Sequence, residues 1–230
     1  MKDENHIPAQ TQRLASLGFM LASVCHEVSN PLAAVSSMLQ ILQSKRGITP
    51  ETLEKGLASI AANVARVTAI TKKLGDYSRV GGEAPMPLVI DDAVEAAATL
   101  LRHSPAGRDV EFDYRGAPGV TVLARPGELE RVLFNVFLNA AQAMKGAGQI
   151  EARAKRNGGE LALSISDTGP GIAEEHLPHV FDPFFTTKQP GEGTGLGLAI
   201  SYELVHEMRG SIRASNDPRG GARFEIALPI

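Results

Sequence analysis

Apolar residues recur every seven positions from Leu14 to Leu42: Leu14, Leu21, Val28, Val35 and Leu42 at one position of the repeat, Leu17, Val24 and Met38 at the other. A seven-residue repeat sustained over that length predicts one long helix. Leu32 and Leu39 widen the stripe to about three positions in seven, which suits a core-facing bundle helix rather than a narrow two-stranded seam. Gly47-Ile48-Thr49-Pro50 interrupts the pattern. Leu53, Leu57, Ile60, Val64, Val67, Thr71 and Leu74 then resume it, predicting a second helix over residues 51–79 that packs back on the first. Two helices cannot enclose an apolar face of this width, so the hairpin is expected to pair with a copy of itself through residues 13–80, giving a homodimeric four-helix bundle.

Gly81-Gly82-Glu83-Ala84-Pro85 breaks the helical period and places a domain boundary near Gly82. The expected organisation is a tail or linker over 1–12, an all-α hairpin over 13–82 and a second domain over 83–230. In that domain Pro87–Ile90, Val110–Tyr114 and Val120–Ala124 read as strands, and Asp91–His103 as a helix. Pro126–Met144 reads as a helix with proline near its first turn. Gln149–Lys155 and Leu161–Asp167 alternate in polarity across Asn157-Gly158-Gly159, a hairpin signature; Leu198–Met208 is helical, and Ser211–Ala214 and Ala222–Leu228 close the sheet. Helices on a mixed, mostly antiparallel sheet make an α/β sandwich.

Composition narrows the function. The chain has 230 residues, 43% apolar and 21% charged, enough for a real core. A formal charge of −3 provides no basic field for nucleic acid. A single cysteine excludes an internal disulfide and suits a reducing, cytoplasmic setting. The longest weakly polar run, Pro31–Leu42, is too short to span a bilayer and contains Ser36, Ser37 and Gln40, so no direct membrane span is expected.

His26 falls opposite the apolar seam, where its imidazole faces solvent from the middle of the first helix. On position alone an ordinary surface histidine is the simpler reading. Its neighbours change that, because residues 26–32, His-Glu-Val-Ser-Asn-Pro-Leu, resemble the H-box of histidine kinases. Further along come Asn135-x-x-x-Asn139, Asp167-x-Gly169-x-Gly171, Phe181-x-x-Phe184-Phe185-x-Thr187-Lys188 and Gly193-x-Gly195-x-Gly197, a series resembling the N, G1, F and G2 boxes of the histidine-kinase ATPase superfamily. The likeness covers about Arg13–Pro229 and is nearest the nitrogen-regulation and dicarboxylate-sensing branch.

The resemblance implies a dimeric sensor histidine kinase core with a Bergerat-type ATP-binding fold. It would use ATP and Mg²⁺, phosphorylate His26 and pass the phosphoryl group to the receiver domain of a response regulator, under an upstream sensor domain or protein. Glu27 would hold one imidazole nitrogen while the other attacks the γ-phosphate. Asn30, on the same helical face as His26, would orient water for regulator dephosphorylation. Pro31 removes a backbone donor and is expected to kink the helix one turn after the histidine.

Asn135 and Asn139 lie one turn apart and can aim side-chain carbonyls at one point, which suits Mg²⁺; Asn139 is the expected metal ligand. Asp167 would accept a hydrogen bond from the adenine amine, with Gly169 and Gly171 letting the backbone approach the base. Gly193, Gly195 and Gly197 precede a helix whose N-terminus can hold phosphate oxygens. Thr187, Lys188, Thr194 and Leu196 complete the expected nucleotide contacts, and 188–194 reads as a lid. The chain has Gln142-Ala143 where some members carry Lys-Tyr, and Ala222 where a hydroxyl residue is frequent. Two other readings stand beside this one: another enzyme on the same ATPase fold, and a non-catalytic nucleotide-binding scaffold. The first leaves His26 and its dimeric hairpin without a purpose, and an acid-labile phosphoryl adduct would exclude the second.

Overall fold

A computed structural model describes residues 28–44, 49–78, 84–188, 193 and 195–230. The predicted seam from Leu14 to Val24, His26, Glu27, the turn at 45–48, residues 79–83 with the predicted boundary at Gly82, residues 189–192 and Thr194 lie outside the described residues. The chain divides into two compact units, 1–79 and 80–230. Among the described residues no helix is long and apolar enough to cross a membrane.

In the first unit, residues 28–43 form helix α1, which continues through Pro31, and α2 spans Pro50–Ser78. The second helix starts one residue earlier than its apolar period suggests, because Thr49 caps it. The Thr49 Oγ1 accepts the N–H of Thr52 at 3.1 Å, and Pro50 takes the first helical position, where no donor is needed. The two helices close on each other at Gly56. A Cβ there would stand 3.2 Å from Leu42 Cδ2 and 3.3 Å from Met38 Sδ. Val35, Met38 and Leu42 are half-buried in this contact, whereas Leu32, Leu39, Leu53, Leu57 and Val64 remain exposed. The apolar stripe is therefore wider than one hairpin can cover.

The second unit runs β1 (Met86–Val89), α3 (Ile90–His103), β2 (Asp109–Arg115), β3 (Thr121–Ala124), α4 (Glu128–Ala143), β4 (Ala147–Asn157), β5 (Glu160–Asp167), a 3₁₀ turn at Leu177–His179, α5 (Gly197–Glu207), β6 (Ser211–Asn216) and β7 (Ala222–Pro229). Five strands form the main sheet in the order β2-β4-β5-β7-β6, parallel between β2 and β4 and antiparallel elsewhere. The β4–β5 hairpin turns at Gly158-Gly159, with Asn157 opposite Glu160. The single expected sheet is in fact two. β3 pairs antiparallel with β1, not with β2. Strand alternation shows which segments are extended and says nothing about which neighbour each one takes.

One face of the main sheet is apolar and the other polar. Ile150, Ala152, Leu161, Leu163, Ile165, Phe224, Ile226 and Leu228 are buried beneath α3, α4 and α5. The alternate residues Glu151, Arg153, Ser164 and Arg223 line a groove on the opposite face. Burial of each large aliphatic side chain contributes about 1.5–3 kcal/mol. α4 lies at the centre of the helical layer, and its buried stripe, Leu129, Val132, Leu133, Val136, Phe137 and Ala140, follows the helical period. Pro126 is not inside this helix. Gly127 sits in the left-handed region (φ 81°), which cannot continue an α-helix backwards, so α4 begins at Glu128.

Candidate functional site

The helical period of α4 that buries Phe137 leaves Asn135, Asn139 and Gln142 on a half-buried flank, one above the other at successive turns. They find different partners. The Asn135 amide nitrogen donates to Gly197 O at 3.0 Å and to Ser201 Oγ at 3.3 Å, tying α4 to the first turn of α5. The second asparagine turns the other way, its Oδ1 accepting the ammonium of Lys188 at 3.1 Å. Gln142 Oε1 accepts from the same ammonium. The amide nitrogen of Asn135 thus braces α5, while Asn139 and Gln142 direct their oxygens at a cation. Packing of α5 on α4 brings Gly197 O and Ser201 Oγ within reach of the Asn135 donor.

Asp167 ends β5 and is 4% exposed. Its Oδ1 accepts two backbone amides, Gly169 N–H at 2.8 Å and Ala222 N–H at 3.2 Å. Ala222 thereby contributes through its backbone at a position where its side chain has no hydroxyl to offer. Burial raises the Asp167 pKa from its ordinary value, and the two amides oppose that rise. Among the described residues no hydrogen bond reaches its Oδ2. The carboxylate is held in place by a close approach from the next loop: Gly221, at φ 83°, lies where a Cβ would come within 1.8 Å of Asp167 O.

Beyond Asp167 the chain turns through Gly169 and Gly171 and is clamped by Asn216, a residue that the motif series does not include. Ile172 N–H donates to Asn216 Oδ1 at 2.8 Å, and Asn216 Nδ2 donates to Ile172 O at 2.7 Å. Thr168 Oγ1 accepts Gln149 N–H at 3.0 Å and holds the loop to β4. Gly169 packs near the end of α4, where a Cβ would lie 3.3 Å from Met144 Cγ. The first glycine loop is therefore attached to the helix that carries Asn139.

The aromatic segment and the second glycine loop are locked to each other. Phe184 has φ 67° and donates its N–H to Gly195 O at 3.0 Å; a Cβ on Gly195 would stand 2.2 Å from the Phe184 carbonyl carbon. Only glycine fits there. Phe181 packs on Tyr202 and Phe224, while Phe185 packs on His176 and His179. Thr187 is exposed, and it is the hydroxyl of Thr186 that accepts the Lys188 N–H at 3.2 Å. Gly193 lies against the Lys188 stem, Leu196 is buried, and Gly197 opens α5 beside Asn135. In the helical unit, Asn30 is exposed on α1.

The site thus offers a buried carboxylate on two backbone amides, two glycine turns, a helix N-terminus and a lysine facing amide oxygens. Neutral oxygens already directed at a positive charge suit a hard divalent ion. The amide oxygens of Asn139 and Gln142 are therefore donors of a kind that fits Mg²⁺.

Comparison with known proteins agrees with this chemistry. Residues 16–83 match the model for the His Kinase A (phospho-acceptor) domain, and residues 124–230 that for the histidine kinase-, DNA gyrase B-, and HSP90-like ATPase. The chain is 37% identical over 224 residues to the C4-dicarboxylate transport sensor protein DctB of Rhizobium meliloti (strain 1021), covering 95% of this chain and 35% of that protein. It is 32% identical over 232 residues to the signal transduction histidine-protein kinase AtoS of Escherichia coli (strain K12), covering 100% of this chain and 37% of the relative. It therefore spans little more than a third of the length of these curated relatives. Among solved structures, histidine kinase ThkA in complex with response regulator protein TrrA superposes with a TM-score of 0.71 at 26% identity, over 96% of this chain and 64% of that one. The mycobacterial sensor histidine kinase MprB matches at 30% identity and a TM-score of 0.57, over 63% of this chain and 97% of that one. Two matched domains in this order, on a sheet and helix layer of the same fold, place the chain in the sensor histidine kinase family.

Proposed function

We propose that these 230 residues are a kinase core that binds ATP with Mg²⁺, phosphorylates His26 and transfers the phosphoryl group to the aspartate of a response-regulator receiver domain. The observation that carries this reading is the state of Asp167: a buried carboxylate with one oxygen occupied by backbone amides and the other available, at the mouth of the first glycine turn. That arrangement recognises the exocyclic amine of adenine. Asn139 holds Mg²⁺, which offsets phosphate charge during transfer. The N-terminus of α5 and its glycines, Gly193, Gly195 and Gly197, receive phosphate oxygens through backbone amides, with Thr187, Lys188, Thr194 and Leu196 around them.

In the helical unit, a ring nitrogen of His26 attacks the γ-phosphorus while the bond to the β,γ-bridging oxygen breaks and ADP leaves. Glu27 accepts the hydrogen bond of the other ring nitrogen and keeps the attacking one unprotonated. Exposed Leu32, Leu39, Leu53, Leu57 and Val64 support a homodimer through residues 13–80, since a second hairpin would cover them. The signal comes from a sensor segment or protein outside this region, and the core works in the cytoplasm.

The test is incubation with γ-labelled ATP followed by acid and base. The label is expected to survive base, to be lost in acid, and to be absent from His26→Gln and from Asn139→Ala. Equal labelling of His26→Gln would end the proposal. Asn30, exposed on α1, serves the opposing reaction, in which a water it orients attacks the regulator's aspartyl phosphate, the P–O bond to the aspartate breaks and inorganic phosphate leaves. Asn30→Ala then leaves His26 labelling near normal and prolongs the life of the phosphorylated regulator.

A further inference from the structure

Two amide oxygens on consecutive turns of α4, Asn139 Oδ1 and Gln142 Oε1, accept hydrogen bonds from one ammonium, that of Lys188. The lysine reaches them from 49 and 46 residues away in the chain, and its stem lies against Gly193, where a Cβ would come within 3.0 Å of Lys188 Cδ. All three polar residues are half-buried, so the contact is less screened than a surface pair. Together they form a cation seat with a cation of the protein's own already in it. An Asn139 oxygen that ligates Mg²⁺ at about 2.1 Å brings a divalent charge close to the ammonium it holds at 3.1 Å, and their repulsion drives the ammonium out of the half-buried seat.

We propose that Lys188 is the resting counter-cation of the nucleotide site: it fills the seat on Asn139 and Gln142 until nucleotide-bound Mg²⁺ replaces it, and is then released toward the phosphate groups. The inference rests on the ATP and Mg²⁺ reading above. It gives Gln142 a role that no nucleotide contact requires. Gln142 sets how firmly Lys188 stays in the seat, and so how much of each binding event is spent on displacing it. Loss of one hydrogen bond to a fully desolvated charged group shifts such an equilibrium by roughly tenfold or more, and by about three- to tenfold where, as here, the partners are only half-buried.

The experiment is a double-mutant cycle on the full chain, reading Mg²⁺·ADP affinity by titration calorimetry without any phosphoryl transfer. Gln142→Met is expected to bind Mg²⁺·ADP about three- to tenfold more tightly than the parent, and the gain is expected to vanish when Lys188→Met is also present. An unchanged or weaker affinity in Gln142→Met would overturn the proposal, as would an equal gain in both backgrounds. A parent chain that fails to bind Mg²⁺·ADP would instead remove the nucleotide reading, and this inference with it. A second measurement needs no binding by any variant. With ¹⁵N-lysine labelling, the Lys188 Nζ resonance, identified by its absence in Lys188→Met, should shift when Mg²⁺·ADP is added to the parent. A resonance that stays in place while nucleotide binds contradicts the exchange.

Discussion

Asp167 and Asp217 are buried almost equally, at 4% and 5% exposure, and both lie beside Gly221. Their surroundings give them opposite properties. Asp217 receives the Arg219 N–H at 2.9 Å and Arg219 Nε at 3.2 Å on Oδ1, and Arg219 Nη2 at 3.2 Å and Arg223 Nη2 at 2.5 Å on Oδ2. Arg219 continues to Glu151 and Arg223 to Ser166, so the carboxylate is the centre of a braced turn between β6 and β7. The Arg219 hydrogen bonds, followed by that of Arg223, hold it well below the usual carboxylate range. Asp167 has backbone amides on one oxygen and no arginine beside that pair; burial therefore wins and its pKa rises. A buried carboxylate saturated by cations is a structural tie, and one left with a spare oxygen and a desolvation cost is ready for a ligand's donor.

Gly221, which both aspartates share, gives the largest expected effect. Gly221→Ala places a Cβ at 1.8 Å from Asp167 O in a left-handed conformation that alanine resists, so both melting temperature and nucleotide affinity should fall sharply. A variant that binds nucleotide normally would show that Asp167 does not depend on this approach.

The two carboxylates separate next. Asp167→Asn turns an acceptor into a donor that opposes the adenine amine. It should cost about 1.5–3 kcal/mol of binding, roughly ten- to a hundredfold in affinity, without lowering the melting temperature, since an unfavourable buried charge has been removed. Asp217→Asn should do the reverse, lowering the melting temperature while leaving nucleotide affinity nearly unchanged. Calorimetry and thermal melts on both variants decide it; if Asp217→Asn loses more affinity than Asp167→Asn, the assignment of roles is inverted.

Acid distinguishes them in the parent chain. Because the folded pKa of Asp167 is raised, nucleotide affinity should weaken on acidification at a pH above that expected for an ordinary aspartate, about 3.9. The folded pKa of Asp217 is depressed, so its stabilising contribution is complete above the unfolded value and is lost as pH falls below about 4. Affinity should therefore decline before stability does, and Asp217→Asn should flatten only the acid limb of the stability profile. Coincident declines would contradict the opposite shifts.

The smallest effect is expected at the clamp beside Asp167. Asn216→Ala removes both bonds to the Ile172 backbone and loosens the turn through Gly169 and Gly171, at about 1 kcal/mol, or a severalfold loss of nucleotide affinity. A loss as large as that of Asp167→Asn would show that loop shape, rather than the carboxylate, dominates recognition.

Local periodicity made much of the molecule legible. The seven-residue repeat led to the two helices, and alternation led to the extended segments, because side-chain direction follows backbone geometry one residue at a time. The glycine and asparagine boxes were legible through their resemblance to those of the histidine-kinase ATPase superfamily, and the fold supplies a reason for one of the glycines: Gly195 must be small where it meets Phe184. α4 starts two residues after Pro126, which favours a first helical turn, because the fold sets the following glycine at a left-handed φ. Partnerships were not legible at all. That β3 leaves β2 to pair with β1, that the Asn135 amide nitrogen bonds Gly197 and Ser201, that Asn216 clamps Ile172, and that Lys188 reaches Asn139 and Gln142 are choices among residues far apart in the chain. Sequence by itself determined the helices, the strands and the chemistry available, since these depend on neighbours within a turn or two. Only the tertiary structure decided which groups meet, because each donor can serve one set of acceptors and the packing of α5 on α4 and of β7 beside β5 settles which acceptors are within reach.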